Sequence, residues 1–245
     1  MRALILLPTY EEAGSIRVVL EKLREHAPLA DVLVIDDNSC DGTADIARAV
    51  AQELGRIQVL CRERKEGLGP AYRAGFEKGI KDGYDVLVQM DSDLSHDPTV
   101  VPLLLAAVED GADLVIGSRY VPGGSIPVWP PHRRALSRYG NEYAAAVLGL
   151  SIADLTSGFR ALRTTTAVRI GATETTTKGY GLMIELAYRS VKTGSTVIEV
   201  PITFIDRTHG KSKLSLAVAL EELAIVTLWG VRDRVTNLLK WLLRH

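Results

Sequence analysis

The sequence predicts an α/β protein built on a mostly parallel, twisted sheet with helices on both faces. Two patterns carry that prediction. Short aliphatic runs, stopped by Pro, Asp or Gly, alternate with longer stretches whose apolar residues recur at helical spacing. Three of those runs also end in polar or acidic clusters, at strand carboxyl ends where an open parallel sheet binds its ligands.

In chain order, residues 3–7 read as a buried strand that Pro8 stops. Ile16, Val19, Leu20 and Leu23 follow at helical spacing. Residues 32–35 form a second strand ending in Asp36-Asp37-Asn38-Ser39. Asp41-Gly42-Thr43 then caps a helix carrying Ile46, Val50 and Leu54. Residues 57–60 are a third strand, and residues 68–82 a helix closed by Gly83. Residues 86–89 are a fourth strand, with Pro98 suited to open the helix after it. Residues 101–108 are helical, and residues 114–116 make a fifth strand. Beyond Tyr120 the pattern loosens: a Pro- and Gly-rich loop, a helix over 133–150, a strand over 156–162 containing Gly158, and a helix over 183–191. Residues 197–204 read as a strand that Pro201 confines to an edge. In the tail, Val231, Val235, Leu238, Leu239 and Leu242 form one stripe, with Arg232, Arg234, Lys240 and Arg244 mostly opposite. The stripe alone fits packing on the domain or on a second subunit as well as an interfacial helix with Trp229 and Trp241 at headgroup depth.

The 245 residues, 47% hydrophobic, suffice for one large α/β domain or a domain with an appendage. A net charge of −1 gives no reason to expect nucleic acid. Cys40 and Cys61 are too few for a disulfide framework, which makes a reducing cytoplasm the default. The run after Arg2 is too short for a signal peptide, and no apolar stretch approaches the roughly 20 residues of a bilayer span.

Three constellations carry chemistry. Strand ends at 8–12, 36–39 and 91–93 converge in any doubly wound sheet, and two of them are acidic pairs. Asp91 and Asp93, one residue apart, can aim hard oxygen ligands at one divalent cation, which can also grip a diphosphate. The tripeptide alone favours a solvated acidic turn; its place at a strand end is what raises the ligand site. Downstream lie Arg119, Arg133, Arg134 and Arg138, whose planar forks suit phosphate. The third constellation, residues 207–213, is a basic loop that alone reads as a solvated turn. A Gly-x-Gly-x-x-Gly turn and a Walker-type loop are both absent, which argues against a Rossmann dehydrogenase and a P-loop NTPase.

Together these pieces resemble the polyprenol-phosphate (dolichol-phosphate) mannose synthases, inverting family-2 glycosyltransferases of the GT-A fold. The matching stretches are LPTYEE from Leu7, VIDDNSCDGT from Val34, KEGLGPAYRAGF from Lys65 and MDSDLSHDP from Met90. GSRYVPGG from Gly117, Trp129 with Arg133-Arg134 and Ser137, LTSGFRA from Leu155, KGYG from Lys178, and EVPITFIDRTHGKSKLS from Glu199 continue it. The resemblance implies a catalytic domain over 1–213 and an amphipathic helical tail over 214–245. It implies that Pro8, Tyr10, Glu12, Ile35 and Asp37 hold the base and ribose of GDP-mannose. Asp91 and Asp93 would bind Mg²⁺ or Mn²⁺, with Ser92 lining the donor site. Arg119, Arg133 and Ser137 would receive the phosphate of a polyprenyl or dolichyl lipid, and Arg207 and Lys213 the donor diphosphate. Asp93, Arg119 and Arg207 would carry the transfer. One position departs: members carry Gln two residues after the second Asp, where Ser95 stands here, so a hydroxyl or a water would complete the metal's ligands.

The expected enzyme is peripheral at the cytoplasmic membrane surface, with a homodimer or a membrane-protein partner through the tail. Its nearest rival is a polyprenyl-phosphate glucosyltransferase using UDP-glucose. A phospho-receiver module would be about half this length, and a nucleotidyltransferase would open with a Gly-rich basic loop that residues 7–12 lack.

Overall fold

In the computed structural model, residues 1–177, 179, 181–206 and 216–242 are described. The strands are β1 (Ala3–Thr9), β2 (Asp31–Asp36), β3 (Ile57–Cys61), β4 (Val86–Gln89), β5 (Leu114–Ser118), β6 (Arg160–Arg163) and β7 (Val197–Pro201). The helices are α1 (Ile16–His26), α2 (Thr43–Leu54), α3 (Leu68–Lys81), α4 (Val101–Glu109), α5 (Pro131–Leu148), α6 (Thr164–Arg169), α7 (Gly181–Lys192) and α8 (Leu216–Leu242). All seven strands join one sheet in the order β3-β2-β1-β4-β6-β5-β7. Only β6 runs against its neighbours, with Ala161 opposite Val88 of β4 and Val115 of β5. The predicted mostly parallel sheet is therefore the observed one.

Alternation along β1 sends side chains to two different cores. Ile5 and Leu7 pack with Val19, Leu20 and Leu23 of α1, Val50 of α2 and Leu104 of α4. Leu4 and Leu6 pack on the opposite face with Tyr72 and Phe76 of α3 and with Leu182, Met183 and Leu186 of α7. Two glycines let α3 lie close to the sheet. A Cβ at Gly75 would sit 2.7 Å from the Ile35 side chain, and one at Gly79 would collide with Leu87. Thus glycines that weaken helix propensity are retained by packing.

Several expectations shift in detail. Pro98 opens a single 3₁₀ turn, capped by the Asp97 carboxylate accepting from Thr99 N at 3.0 Å, before α4 begins at Val101. Leu54 ends α2 41% exposed, and Ala47 takes the buried place expected of it. The strand expected over 156–162 begins only at Arg160, because Gly158 lies in the loop before it, packed on the Asp91 carboxylate. Helix α6 and a 3₁₀ turn at Ala172–Glu174 went unpredicted, since Thr164-Thr165-Thr166 gives a weak helix signal. Pro201 does end an edge strand.

The tail packs on the domain. Val226 is buried, Gly230 lies against the Val147 carbonyl of α5, and Thr227 Oγ1 meets the Tyr143 hydroxyl at 2.7 Å. Trp229 stacks nearly parallel on Tyr188 of α7, with ring centroids 5.7 Å apart, so it is a packing residue and not a headgroup anchor. Leu228, Val231, Val235, Leu239 and Trp241 remain exposed. No helix among the described residues is long and apolar enough to cross a membrane.

Candidate active site

The carboxyl ends of β1, β2 and β4 meet, as the topology requires. Ser92 Oγ donates to Pro8 O at 2.9 Å, and Ser15 Oγ donates to Ser92 O at 2.8 Å, tying the β1 and β4 ends together. Asp36 is consumed internally, accepting from Thr9 Oγ1 at 3.0 Å, Ser39 N at 2.9 Å and Ser39 Oγ at 2.6 Å. Asp37 beside it takes a different partner, Arg62, at 2.7 Å, and also accepts from Glu66 N. From the same loop the Lys65 ammonium sits 3.6 Å from the Tyr10 ring centroid. Glu12 is placed by its backbone N–H, which donates to Thr43 Oγ1 at 2.9 Å. Ile35 is wholly buried, its side chain against Gly75 and its backbone in the ladder between Pro8 and Leu60, so it stands apart from the other expected nucleoside residues. Pro8, Tyr10, Glu12 and Asp37 thus lie at the ends of β1 and β2, with Arg62 beside Asp37 and Lys65 beside Tyr10.

After β4 the chain makes a tight turn with Leu94 at φ 66°, a conformation rarely seen in a branched residue and one that marks functional turns. Ser95 N donates to Asp93 Oδ1 at 3.1 Å. Asp91 N donates to Nδ1 of His96 at 3.2 Å, which fixes the imidazole proton on Nε2. His96 is buried, stacked on Phe159 at 5.0 Å and edge-on to Phe204 at 5.5 Å. Burial pushes its pKa below the ordinary value, against the pull of Asp91 and Asp93, so it stays neutral. Ser95 Oγ is buried without a hydrogen-bond partner. Among the described residues no three His, Cys, Asp or Glu side chains group as a metal cage. Two carboxylates and an unpartnered hydroxyl fit a hard cation that draws its remaining ligands from a diphosphate and water.

A basic half lies beyond β5. Arg119 is 8% exposed, and Asp154 clamps it. Its Nε and Nη2 donate to the two carboxylate oxygens at 2.7 Å each, and its backbone N–H adds a bond of 2.9 Å. Burial alone would push Asp154 up, but the Arg119 charge and its hydrogen bonds hold the carboxyl below the ordinary range. Glu199 of β7 accepts from the backbone N–H groups of Ala153 and Asp154 at 2.8 and 2.9 Å, fixing the loop that carries the clamp. Ser137 accepts from the Tyr120 hydroxyl at 2.7 Å. Arg133 pairs with Asp206 at 2.9 Å and lies 4.0 Å from the Trp129 ring centroid. Phe204 links the halves, touching His96 on one side and Trp129 and Arg119 on the other. The segment after β7 also crosses the acidic turn, with Ile205 N donating to Ser95 O at 3.2 Å. Arg207 and Lys213 lie outside the described residues.

Asp154, His96 and Trp129 were not foreseen as parts of the site. His96 is marked in the sequence only by following Ser95 directly, while Asp154 lies 35 residues from its partner with no spacing to mark it.

Comparison with known proteins shows the family. Residues 4–170 match the family described as Glycosyl transferase family 2. An undecaprenyl-phosphate mannosyltransferase of Micrococcus luteus is 46% identical over 234 residues, covering 96% of each chain. A polyprenol monophosphomannose synthase of Mycolicibacterium smegmatis is 43% identical over 235 residues, covering 96% of this chain and 89% of its own. Among solved structures, glucosyl-3-phosphoglycerate synthase of Mycobacterium tuberculosis with Mn²⁺ and UDP-glucose superposes with TM-score 0.66 at 21% identity, over 93% of this chain and 77% of that one. A Pyrobaculum calidifontis mannosyltransferase with GDP-mannose and Mn²⁺ gives 0.60 at 15% identity, over 96% and 64%.

Proposed function

The chain belongs to glycosyl transferase family 2, and from that premise we propose that it transfers mannose from GDP-mannose to a polyprenyl monophosphate, forming a β-linked lipid phosphomannose. The observation that carries this reading is the pairing of two halves through Phe204: a turn bearing Asp91 and Asp93, and an arginine pair at Arg119 and Arg133. The relatives named for mannosyl transfer to a polyprenyl phosphate support that sugar and acceptor.

The chemistry follows from charge. A hydroxyl acceptor needs a base to remove its proton, whereas a phosphate monoester is already anionic near neutral pH. His96 is buried with Nδ1 engaged by Asp91 N, so it positions the turn and does not take a proton. The difficulty is then bringing two anionic groups together. Arg119, Arg133 and Ser137 would hold the acceptor phosphate; Tyr10, Glu12 and Asp37 would hold the nucleoside. Asp91, Asp93 and the Ser95 hydroxyl would hold a Mg²⁺ or Mn²⁺ ion, whose charge stabilises the departing diphosphate. An acceptor oxygen forms the new bond to the anomeric carbon as the bond to GDP breaks, inverting that centre. Arg207 and Lys213 belong to the same proposal as diphosphate ligands.

The division at residue 213 and a peripheral place at the membrane are also part of this reading. They are supported by the outward stripe of α8 and by Leu136, Tyr139 and Tyr143 exposed on α5, the helix that carries Arg133. A second subunit on that stripe is the competing occupant, and sedimentation with anionic vesicles separates the two.

The test of donor and reaction is radiolabel transfer to the organic phase from GDP-mannose or UDP-glucose, with polyprenyl phosphate and Mg²⁺ or Mn²⁺, and chelator as control. Metal-dependent label from GDP-mannose is expected. Label from UDP-glucose alone would move the enzyme to glucosyl transfer, and none from either would refute the lipid acceptor.

A further inference from the structure

Trp129 stands two residues before α5, is 8% exposed, and meets both arginines of the basic half. The Arg133 guanidinium carbon lies 4.0 Å from its ring centroid and that of Arg119 5.7 Å, while Phe204 packs edge-on at 5.5 Å. These contacts use the aromatic ring, and a phenyl ring would supply most of them. What phenylalanine lacks is the indole N–H, and Trp129 Nε1 is buried with no hydrogen-bond partner. Leaving a donor buried and unpaired is unfavourable, and where proteins keep one a ligand often completes it.

We propose that Trp129 is a binding residue whose Nε1–H donates to an oxygen of the acceptor's anionic group, beside Arg119 and Arg133. The assignment rests on the reading of those arginines as the phosphate pair. The division of labour is physical. The guanidiniums neutralise charge, and Arg119 is already oriented by Asp154. The indole N–H adds no charge but fixes which phosphate oxygen is held and which is left to attack.

The test compares wild type, Trp129→Phe and Arg133→Ala, varying polyprenyl phosphate at saturating GDP-mannose and then the reverse. Trp129→Phe keeps the ring, so its thermal midpoint should stay near wild type; Trp129→His is a second variant that can restore an N–H donor. Trp129→Phe should raise the acceptor KM roughly tenfold, the size expected for one hydrogen bond to a charged group, with the donor KM unchanged. Partial recovery by Trp129→His would support the N–H as the cause. A wild-type acceptor KM in Trp129→Phe, while Arg133→Ala raises it, would overturn the inference and leave the arginine assignment intact. A shift confined to the donor KM would also overturn it. If Arg133→Ala itself leaves the acceptor response unchanged, the phosphate pair is misassigned and the inference falls with it.

Discussion

In the acidic half of the site, groups that matter are held by near neighbours: Asp93 by Ser95 N and Asp91 N by His96, all within one turn. In the basic half they are held from far along the chain. Arg119 is clamped by Asp154, 35 residues away, and Arg133 by Asp206, 73 residues away. The difference reflects two electrostatic tasks. Under the proposed metal-binding role, a carboxylate pair gains from a short, rigid turn that sets oxygen spacing. An arginine buried at 8% exposure cannot wait; without its own counter-ion it would be an uncompensated charge in a low dielectric. The acidic turn is therefore set locally, and the basic half has its arginines' counter-ions supplied from distant segments.

That contrast can be broken from either side. Asp93→Ala should have the largest effect on transfer, a loss of roughly a thousandfold, comparable to or beyond removing one preorganised charge-stabilising group. Metal-dependent GDP-mannose binding by calorimetry should fall with it while the thermal midpoint changes little; retained activity would remove Asp93 from the metal site. Asp154→Ala should do the reverse and strike stability first. Orphaning a buried arginine costs about 3–5 kcal/mol, or roughly 10 °C in thermal midpoint for a chain of this size. The sign of the pH dependence follows from the depressed carboxyl. Asp154 contributes fully above its ordinary pKa of 3.8 and loses that contribution as pH falls through its lower folded value. Urea unfolding of wild type should weaken below about pH 4, and this part of the acid loss should be missing in Asp154→Ala. A superimposable pH profile would show the clamp to be energetically idle.

Ser95→Ala is the smallest and the most pointed of these changes. Its hydroxyl is buried and unpaired, so deletion should leave the thermal midpoint within about 1 °C. The metal concentration for half-maximal transfer should nevertheless rise several-fold, and an unchanged metal titration would leave the ion to Asp91, Asp93 and water.

The same contrast explains what could be read from the chain. Strand ends bearing Pro8, Asp37, Asp91 and Asp93 announce themselves, because each is an aliphatic run stopped by a polar cluster. Arg119 and Arg133 were visible only as arginines after a strand and a Trp-Pro-Pro. Their carboxylate partners were not visible, since ion pairs made across a fold leave no periodicity. The loop at 157–159 reads as strand because Gly158 sits in one apolar run with Phe159, Ala161 and Leu162. Gly158 lies beside the Asp91 carboxylate in that loop, a placement that depends on the tertiary fold. In the tail the stripe was legible but its use was not, and Trp229 turned out to stack on Tyr188.

The most direct test of the central claim, that this site takes an acceptor already bearing its charge, is a paired acceptor assay. GDP-[¹⁴C]mannose would be offered with Mn²⁺ to polyprenyl phosphate and to polyprenol of the same chain length. Transfer to the phosphate alone is the predicted result, with a rate that levels off above the monoester's second pKa near ~6. Comparable transfer to the free alcohol would contradict it, for the site would then have to remove a proton with a general base.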